Sequence, residues 1–308
     1  MTLVAIGTAS FGQADPRPLE ILRAAGLQLR LNTRGRTLSE DETIEHVAGA
    51  SGWIAGGEPV SRRVLASARH LRAVARVGVG LDTVDLDAAR ELGIAVSRTP
   101  DAPTDAVAEM TLAALLAIVR RLIPSHRDLS SGRWTRHLGS GLRDARVLVV
   151  GYGRIGARTA ELLHAFGAEI LVTDPHVASG SLRAHERLVT LEEGLVLADV
   201  VTLHATGGTT LLDRSALGRM KPGAILLNSA RGDLVDETAL EEALTSGRIG
   251  GCWLDVFRQE PYDGPLTRLP QVLATPHAAT FTRQCRVRME LEAAQNLLRD
   301  LSTPAVRA

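Results

Sequence analysis

Cysteine is nearly absent from this 308-residue chain, with only Cys252 and Cys285 present. Two thiols are too few for a disulfide framework, and these two lack metal-ligand spacing, so no metal site is expected. Net charge is missing as well. The 35 Lys+Arg balance 35 Asp+Glu, which argues against non-specific binding to nucleic acid or to an anionic membrane. No uninterrupted apolar run approaches the roughly 20 residues that span a bilayer. The opening residues, MTLVAIGTAS, have no basic segment and read as a strand rather than a signal peptide. Lysine is reduced to Lys221, every other basic residue being a scattered arginine, a pattern of coding bias. There is no repeat of fixed period, low-complexity tract or long linker. What remains is 45% hydrophobic and 23% charged, an ordinary globular balance with length enough for two domains. A soluble, cytoplasmic protein is the expectation.

Short apolar runs alternate with helical patterns from end to end, which is the signature of parallel α/β architecture. In the first third, residues 3–7, 27–31, 52–55, 73–77 and 93–96 read as strands, with helical stretches at 18–26 and 39–50. Ser39 followed by Glu42 forms a capping box. Residues 106–121, AVAEMTLAALLAIVRR, make the most apolar helix, which is predicted to stop before Pro124. It reads either as a buried core helix or as a helix shared with another domain or subunit. A second series of strands follows at 146–150, 169–174, 199–204, 224–228, 250–255 and 272–277. Two doubly wound parallel sheets are therefore expected, meeting near Arg98–Pro100, with a closing helix over 283–301 and a frayed tail.

The segment GYGRIG (151–156) follows a predicted strand and opens a predicted helix, the context that a GxGxxG motif requires. Gly151 permits the tight turn, Gly153 lets the backbone approach a pyrophosphate, and Gly156 lets helix and strand pack closely. The pyrophosphate then lies at a helix N-terminus, whose N–H groups and dipole favour negative charge. The next strand ends in Asp174. A carboxylate there accepts from a ribose 2′-OH and repels a 2′-phosphate, so NAD is expected rather than NADP.

Arg231, Glu260 and His277 stand at the ends of later strands in the same half. In open α/β sheets ligands bind outside the carboxyl ends of strands, so these side chains are placed to converge on a nicotinamide. Hydride exchange between NAD and a hydroxy acid needs a proton carrier, a cation for the carboxylate or carbonyl, and a group that tunes the carrier. Imidazole, guanidinium and carboxylate supply these in turn. Singly, each is also an ordinary strand-end or helix-cap residue.

With these residues in view, VGVGLDTVDLDAA (77–89), VGYGRIG (150–156), MKPGAILLNSARGDLVDETAL (220–240), GCWLDVFRQEP (251–261) and TPHAA (275–279) resemble the D-isomer-specific 2-hydroxyacid dehydrogenases, phosphoglycerate-dehydrogenase-like branch. The resemblance covers nearly the whole chain, with the motifs in the family's order. It implies an α/β fold of two doubly wound parallel-sheet domains. One is a flavodoxin-like substrate domain (1–98, completed by 279–308), the other a Rossmann NAD-binding domain (99–278). It implies NAD-dependent interconversion of a D-2-hydroxy acid and its 2-keto acid. Arg231 would bind the substrate, His277 would be the acid/base facing the nicotinamide, and Glu260 would pair with it. Val77, Gly78, Val79 and Gly80 would cradle the substrate carboxylate, with Arg76 beside them. Gly151, Gly153, Arg154, Ile155, Gly156, Asp174, Thr104, His204 and Ala230 would contact the cofactor, and Asp255 its carboxamide. His204 reads more readily as a packed strand-end residue than as one with a chemical role. Members are typically homodimers joined through their cofactor domains.

Three departures narrow the resemblance. Where phosphoglycerate dehydrogenases carry basic residues after the third strand, this chain has IAGGEPV (54–60), with Ala55, Gly56 and Gly57. Arg76, Arg133 or Arg136 would have to replace that charge, Arg136 from a second subunit. The loop at 203–213 is short and lacks the family's proline, which bears on His204, Ala205 and Thr206. Few residues follow His277, so no regulatory C-terminal domain is expected. Two alternatives stand beside the dehydrogenase. One is oxidation of a small phosphonate or phosphite-like oxyanion, the other a non-catalytic, NAD-sensing corepressor-like protein.

Overall fold

A computed structural model describes residues 2–303; the expected tail beyond Thr303 lies outside them. The chain divides into two compact units. One runs to Pro103 and resumes at Phe281, and the other spans Thr104–Thr280. These breaks fall a few residues beyond 98 and 278.

The first unit holds β1 (Leu3–Ile6), β2 (Gln28–Leu31), β3 (Gly52–Ala55), β4 (Ala73–Arg76) and β5 (Ala95–Arg98). All pair in parallel, in the order β2-β1-β3-β4-β5, which is the flavodoxin-like order. β3 is buried along its length around Trp53, because helices cover both faces of a parallel sheet. The predicted capping box closes the start of helix Glu40–Val47, with Glu42 N–H donating to Ser39 Oγ and Ser39 N–H to the Glu42 carboxylate. The closing helix, Arg283–Ser302, returns to this unit and packs on β3, β4 and β5. Its buried Glu290 accepts from Gly12 N–H at 2.8 Å and from Arg286 at 2.7 Å, which anchors the loop after β1.

The second unit is a seven-stranded parallel sheet of β6 (Arg146–Val150), β7 (Glu169–Thr173), β8 (Glu186–Leu188), β9 (Val200–Leu203), β10 (Ala224–Asn228), β11 (Ile249–Leu254) and β12 (Val272–Ala274). Its order is β12-β11-β10-β9-β6-β7-β8, the Rossmann order with one strand added. The order reverses between β6 and β9, so the ligand crevice of this fold lies at their carboxyl ends.

Two elements differ from the sequence reading. β8 is a three-residue polar edge strand with no hydrophobic pattern to announce it. The apolar helix occupies Pro103–Val119, and a second helix, Leu122–Ser130, begins after Arg121 takes a left-handed conformation (φ 53°). Pro124 therefore lies in a first helical turn, where its missing N–H costs no intrahelical bond. Among the described residues no helix is long and apolar enough to cross a membrane.

Candidate active site

The phosphate loop is built by steric necessity. Gly151 has φ 90°, and a Cβ on it would come within 2.7 Å of the His204 backbone. A Cβ on Gly156 would stand 2.0 Å from the Gly151 carbonyl oxygen. A Cβ on Gly153 would meet nothing within 4 Å. The two outer glycines thus close the turn against the sheet, and the middle one faces open space. Gly153 is the N-cap of helix Arg154–Ala165 and offers no capping side chain to the N–H groups of the first turn. A pyrophosphate fits that donor set, so the residues present suit a dinucleotide. Arg154 and Ile155 open this helix, and Ile155 packs on the core beneath it.

Asp174 follows β7 and is turned toward the loop. Its carboxylate accepts from Tyr152 N–H at 2.7 Å and from His176 N–H at 2.8 Å. Those bonds hold a negative charge beside the turn and leave further lone pairs for a ribose hydroxyl. NADPH is expected to be used at least about a hundredfold less efficiently than NADH. That is within the ~4 kcal/mol that like unit charges exert at about 4 Å near a protein surface. Equal kcat/KM for the two cofactors would remove this role from Asp174.

His204 extends β9 through its N–H to Val150 O (2.7 Å), and its Nε2 lies 2.9 Å from Thr202 Oγ1. Burial pushes its pKa down to about 4. The imidazole is therefore neutral near pH 7. Burial also pushes the Cys252 thiol up to about 12 and, as its largest cause, the Cys285 thiol to about 11, so neither is a nucleophile near neutrality.

The His277–Glu260 pair is geometrically formed. His277 Nδ1 lies 2.8 Å from Glu260 Oε2, with both side chains partly exposed. The hydrogen bond to Glu260 raises the His277 pKa against the opposing effect of burial. Burial pushes the Glu260 carboxyl up. Its bond to His277, that residue's charge, the Phe257 N–H and the Arg231 charge outweigh it, leaving the carboxyl below its usual range. Arg231 thus acts electrostatically on both members of the pair. Its loop is held by Asn228, whose Nδ2 donates to Arg231 O (2.8 Å) and whose Oδ1 accepts from Ala230 N–H (3.0 Å). The 203–213 segment packs on the same loop, with Gly208 N–H donating to Asp233 Oδ2 at 2.6 Å.

Asp255 positions the histidine. Oδ1 accepts from Thr275 Oγ1 (2.5 Å) and Ala278 N–H (2.8 Å), and Oδ2 accepts from Ala279 N–H (2.9 Å). Its own carbonyl accepts from His277 N–H at 2.8 Å. These bonds stabilise His277 in the left-handed region (φ 51°), which costs a non-glycine residue about 1 kcal/mol or more. Three of roughly four acceptor sites on the carboxylate are used. Asn228, Gly232 and Asp233 were not singled out by sequence; an Asn at a strand end before a tight turn was the available signal.

In the first unit, the turn after β4 has its N–H groups unevenly committed. Val77 N–H donates to Ala55 O and Gly78 N–H to Thr99 Oγ1, each at 2.9 Å. The N–H groups of Val79 and Gly80 have no partner among the described residues. Gly78 has φ 142°, and the Arg76 guanidinium lies 3.6 Å from where its Cβ would be. In the second unit, Thr104 in the first turn of helix Pro103–Val119 and Ala230 in the turn after β10 are both half-buried. Among the described residues no cluster of three metal-ligating side chains occurs.

The order of strands and the glycine turn define a dinucleotide-binding α/β protein. Residues 112–279 match the model for the D-isomer specific 2-hydroxyacid dehydrogenase, NAD binding domain, and the chain belongs to that family. It is 40% identical over 247 residues to the D-3-phosphoglycerate dehydrogenase of Mycobacterium tuberculosis, covering 77% of this chain and 46% of that one. The chain thus spans about half the length of that relative. It is 39% identical over 253 residues to a glyoxylate reductase of Aeropyrum pernix, covering 76% and 75%. The solved TT0316 protein of Thermus thermophilus superposes with a TM-score of 0.90 at 38% identity, covering 98% of this chain and 97% of that one.

Proposed function

We propose that the protein is an NAD-dependent dehydrogenase interconverting a D-2-hydroxy acid and its 2-keto acid. The observation that carries this reading is the His277–Glu260 pair at 2.8 Å, under the field of Arg231, at the strand ends of the unit that bears the phosphate loop. A relative named glyoxylate reductase and another named D-3-phosphoglycerate dehydrogenase support the substrate class. When bound, the nicotinamide supplies or accepts the hydride. Arg231 polarises the carbonyl and holds the carboxylate in a planar fork, while His277 gives or takes the proton at the substrate oxygen. In the first unit, the Val79 and Gly80 N–H groups suit a substrate carboxylate. Oxidation of NADH on addition of glyoxylate, pyruvate or hydroxypyruvate tests the reading; no turnover with any of them would reject it.

The pair also fixes a pH dependence. In reduction the protonated imidazole donates, so the rate falls as pH rises through the His277 pKa. Glu260 raises that pKa. Glu260→Gln is therefore expected to move the alkaline fall to lower pH, modestly because the pair is partly exposed. Identical profiles for parent and variant would exclude the pairing.

We read the assembly as a cytoplasmic homodimer. Support comes from apolar side chains left in solvent just after the apolar helix of the second unit: Leu122, Ile123, Leu129, Trp134 and Leu138, the last two 81% and 96% exposed. Clustered exposed apolar residues of this kind mark interfaces.

A further inference from the structure

Strand order in the first unit reverses between β1 and β3, and such a switch point is a ligand crevice in doubly wound sheets. Here the chain fills it with its own carboxylate. Glu58, only 1% exposed, lies in the loop after β3. Its Oε2 accepts from Gly56 N–H at 2.9 Å and its Oε1 from Trp53 Nε1 at 3.2 Å. Glycines make the room. A Cβ on Gly7, just past β1, would stand 1.6 Å from Glu58 Oε1. One on Gly56 would stand 2.9 Å from Oε2 and 2.6 Å from Thr8 Oγ1. That Thr8 hydroxyl is buried with no hydrogen-bond partner. The arginines that follow in sequence are engaged elsewhere, Arg62 with Glu91 at 2.6 Å and Arg63 with Asp41 at 2.7 Å. Arg76 Nη1 folds back to Val77 O at 2.9 Å, and Arg133 pairs with Asp128 at 2.5 Å.

We infer that Glu58 makes the first unit reject a second anionic group on the substrate, a terminal phosphate above all. The substrate is then a small 2-hydroxy or 2-keto acid with an uncharged tail. This rests on the reading above, in which Val79 and Gly80 at the end of β4 hold the substrate carboxylate. Neighbouring strands lie about 4.8 Å apart, so the middle of the β1–β3 crevice is about 7 Å from β4. That is the reach of a three-carbon acid carrying a terminal phosphate. A phosphate arriving there meets a carboxylate of its own sign, in surroundings where screening is weak. Two N–H donors there, those of Gly56 and the Trp53 indole, are already spent on Glu58.

The test is steady-state reduction of hydroxypyruvate and of 3-phosphohydroxypyruvate by NADH, one acid without and with the phosphate. The parent is expected to favour the unphosphorylated acid in kcat/KM by at least about a hundredfold, the scale of a buried like-charge contact. Glu58→Gln is expected to narrow that ratio about tenfold or more. Gly57→Arg, at a position where a Cβ would be 3.7 Å from its nearest neighbour, adds a cation beside the crevice and narrows the ratio in the same sense. It serves also if Glu58→Gln does not fold, which melting curves reveal. A parent ratio near one, or a ratio that neither variant moves, overturns the inference and leaves the dehydrogenase reading intact. No reduction of either acid, or of glyoxylate, overturns both.

Discussion

Replacing His277 by alanine is expected to lower kcat for keto-acid reduction about 10²–10⁴-fold, the usual worth of a positioned acid–base group. The side chain is unlike others on the sheet because its backbone is left-handed and tied down by Asp255. Alanine tolerates that conformation poorly, so a loss in His277→Ala mixes lost chemistry with a relaxed turn. Asparagine favours the left-handed region and carries no transferable proton near neutrality. His277→Asn should therefore melt near the parent while losing the same two to four orders of magnitude. NADH affinity, followed by fluorescence titration, should change far less than kcat, because the pyrophosphate donors lie on the separate loop at 151–156. Either variant retaining kcat within tenfold of the parent would show that another group carries the proton.

The second large effect is expected from a methyl group. Gly232 lies against the segment that leads to Glu260, and a Cβ on it would be 2.0 Å from the Phe257 carbonyl carbon and 2.3 Å from Arg258 N. Both are backbone atoms, so no side chain can rotate away. Gly232→Ala must separate the turn carrying Arg231 from the turn carrying Glu260. Overpacking of this kind costs about 1–3 kcal/mol of stability. A displacement of about 1 Å at a reacting centre costs on the order of 10² in rate. The variant should thus melt several degrees lower and, assayed well below its melting point, lose about a hundredfold in kcat/KM. Parent-like activity in a folded Gly232→Ala would mean that the distance between the two turns is not what aligns Arg231 with the His277–Glu260 pair.

Much of the architecture was legible in the residues themselves. Alternating apolar runs and amphipathic stretches imply two parallel sheets because strands buried on both faces must be apolar throughout. The glycine turn after RVLVV is readable because its chemistry is local: turn, donors and helix start occupy six consecutive positions. The polar strand-end residues Arg231, Glu260 and His277 stood out for the same reason, each punctuating an apolar run. The short polar β8 and the break at Arg121 carried no such pattern.

Hydrogen-bond commitments were decided only by the tertiary structure. The register of β11 with β12 brings Asp255 against Thr275, Ala278 and Ala279, and so gives a residue read as a cofactor contact the further task of bracing the His277 turn. Pairing of β3 with β4 uses up the Val77 N–H, and Thr99 takes that of Gly78. Of four backbone groups read as a cradle, two are left to donate. Glu58 was not singled out by sequence, yet the approach of β1 and β3 buries it between two glycines. Sequence by itself determined which residue types stand at the strand ends, because burial periodicity is a local property. Which of their donors and acceptors stay free depends on partners tens of residues away, and only the packed sheets bring those partners within hydrogen-bond reach.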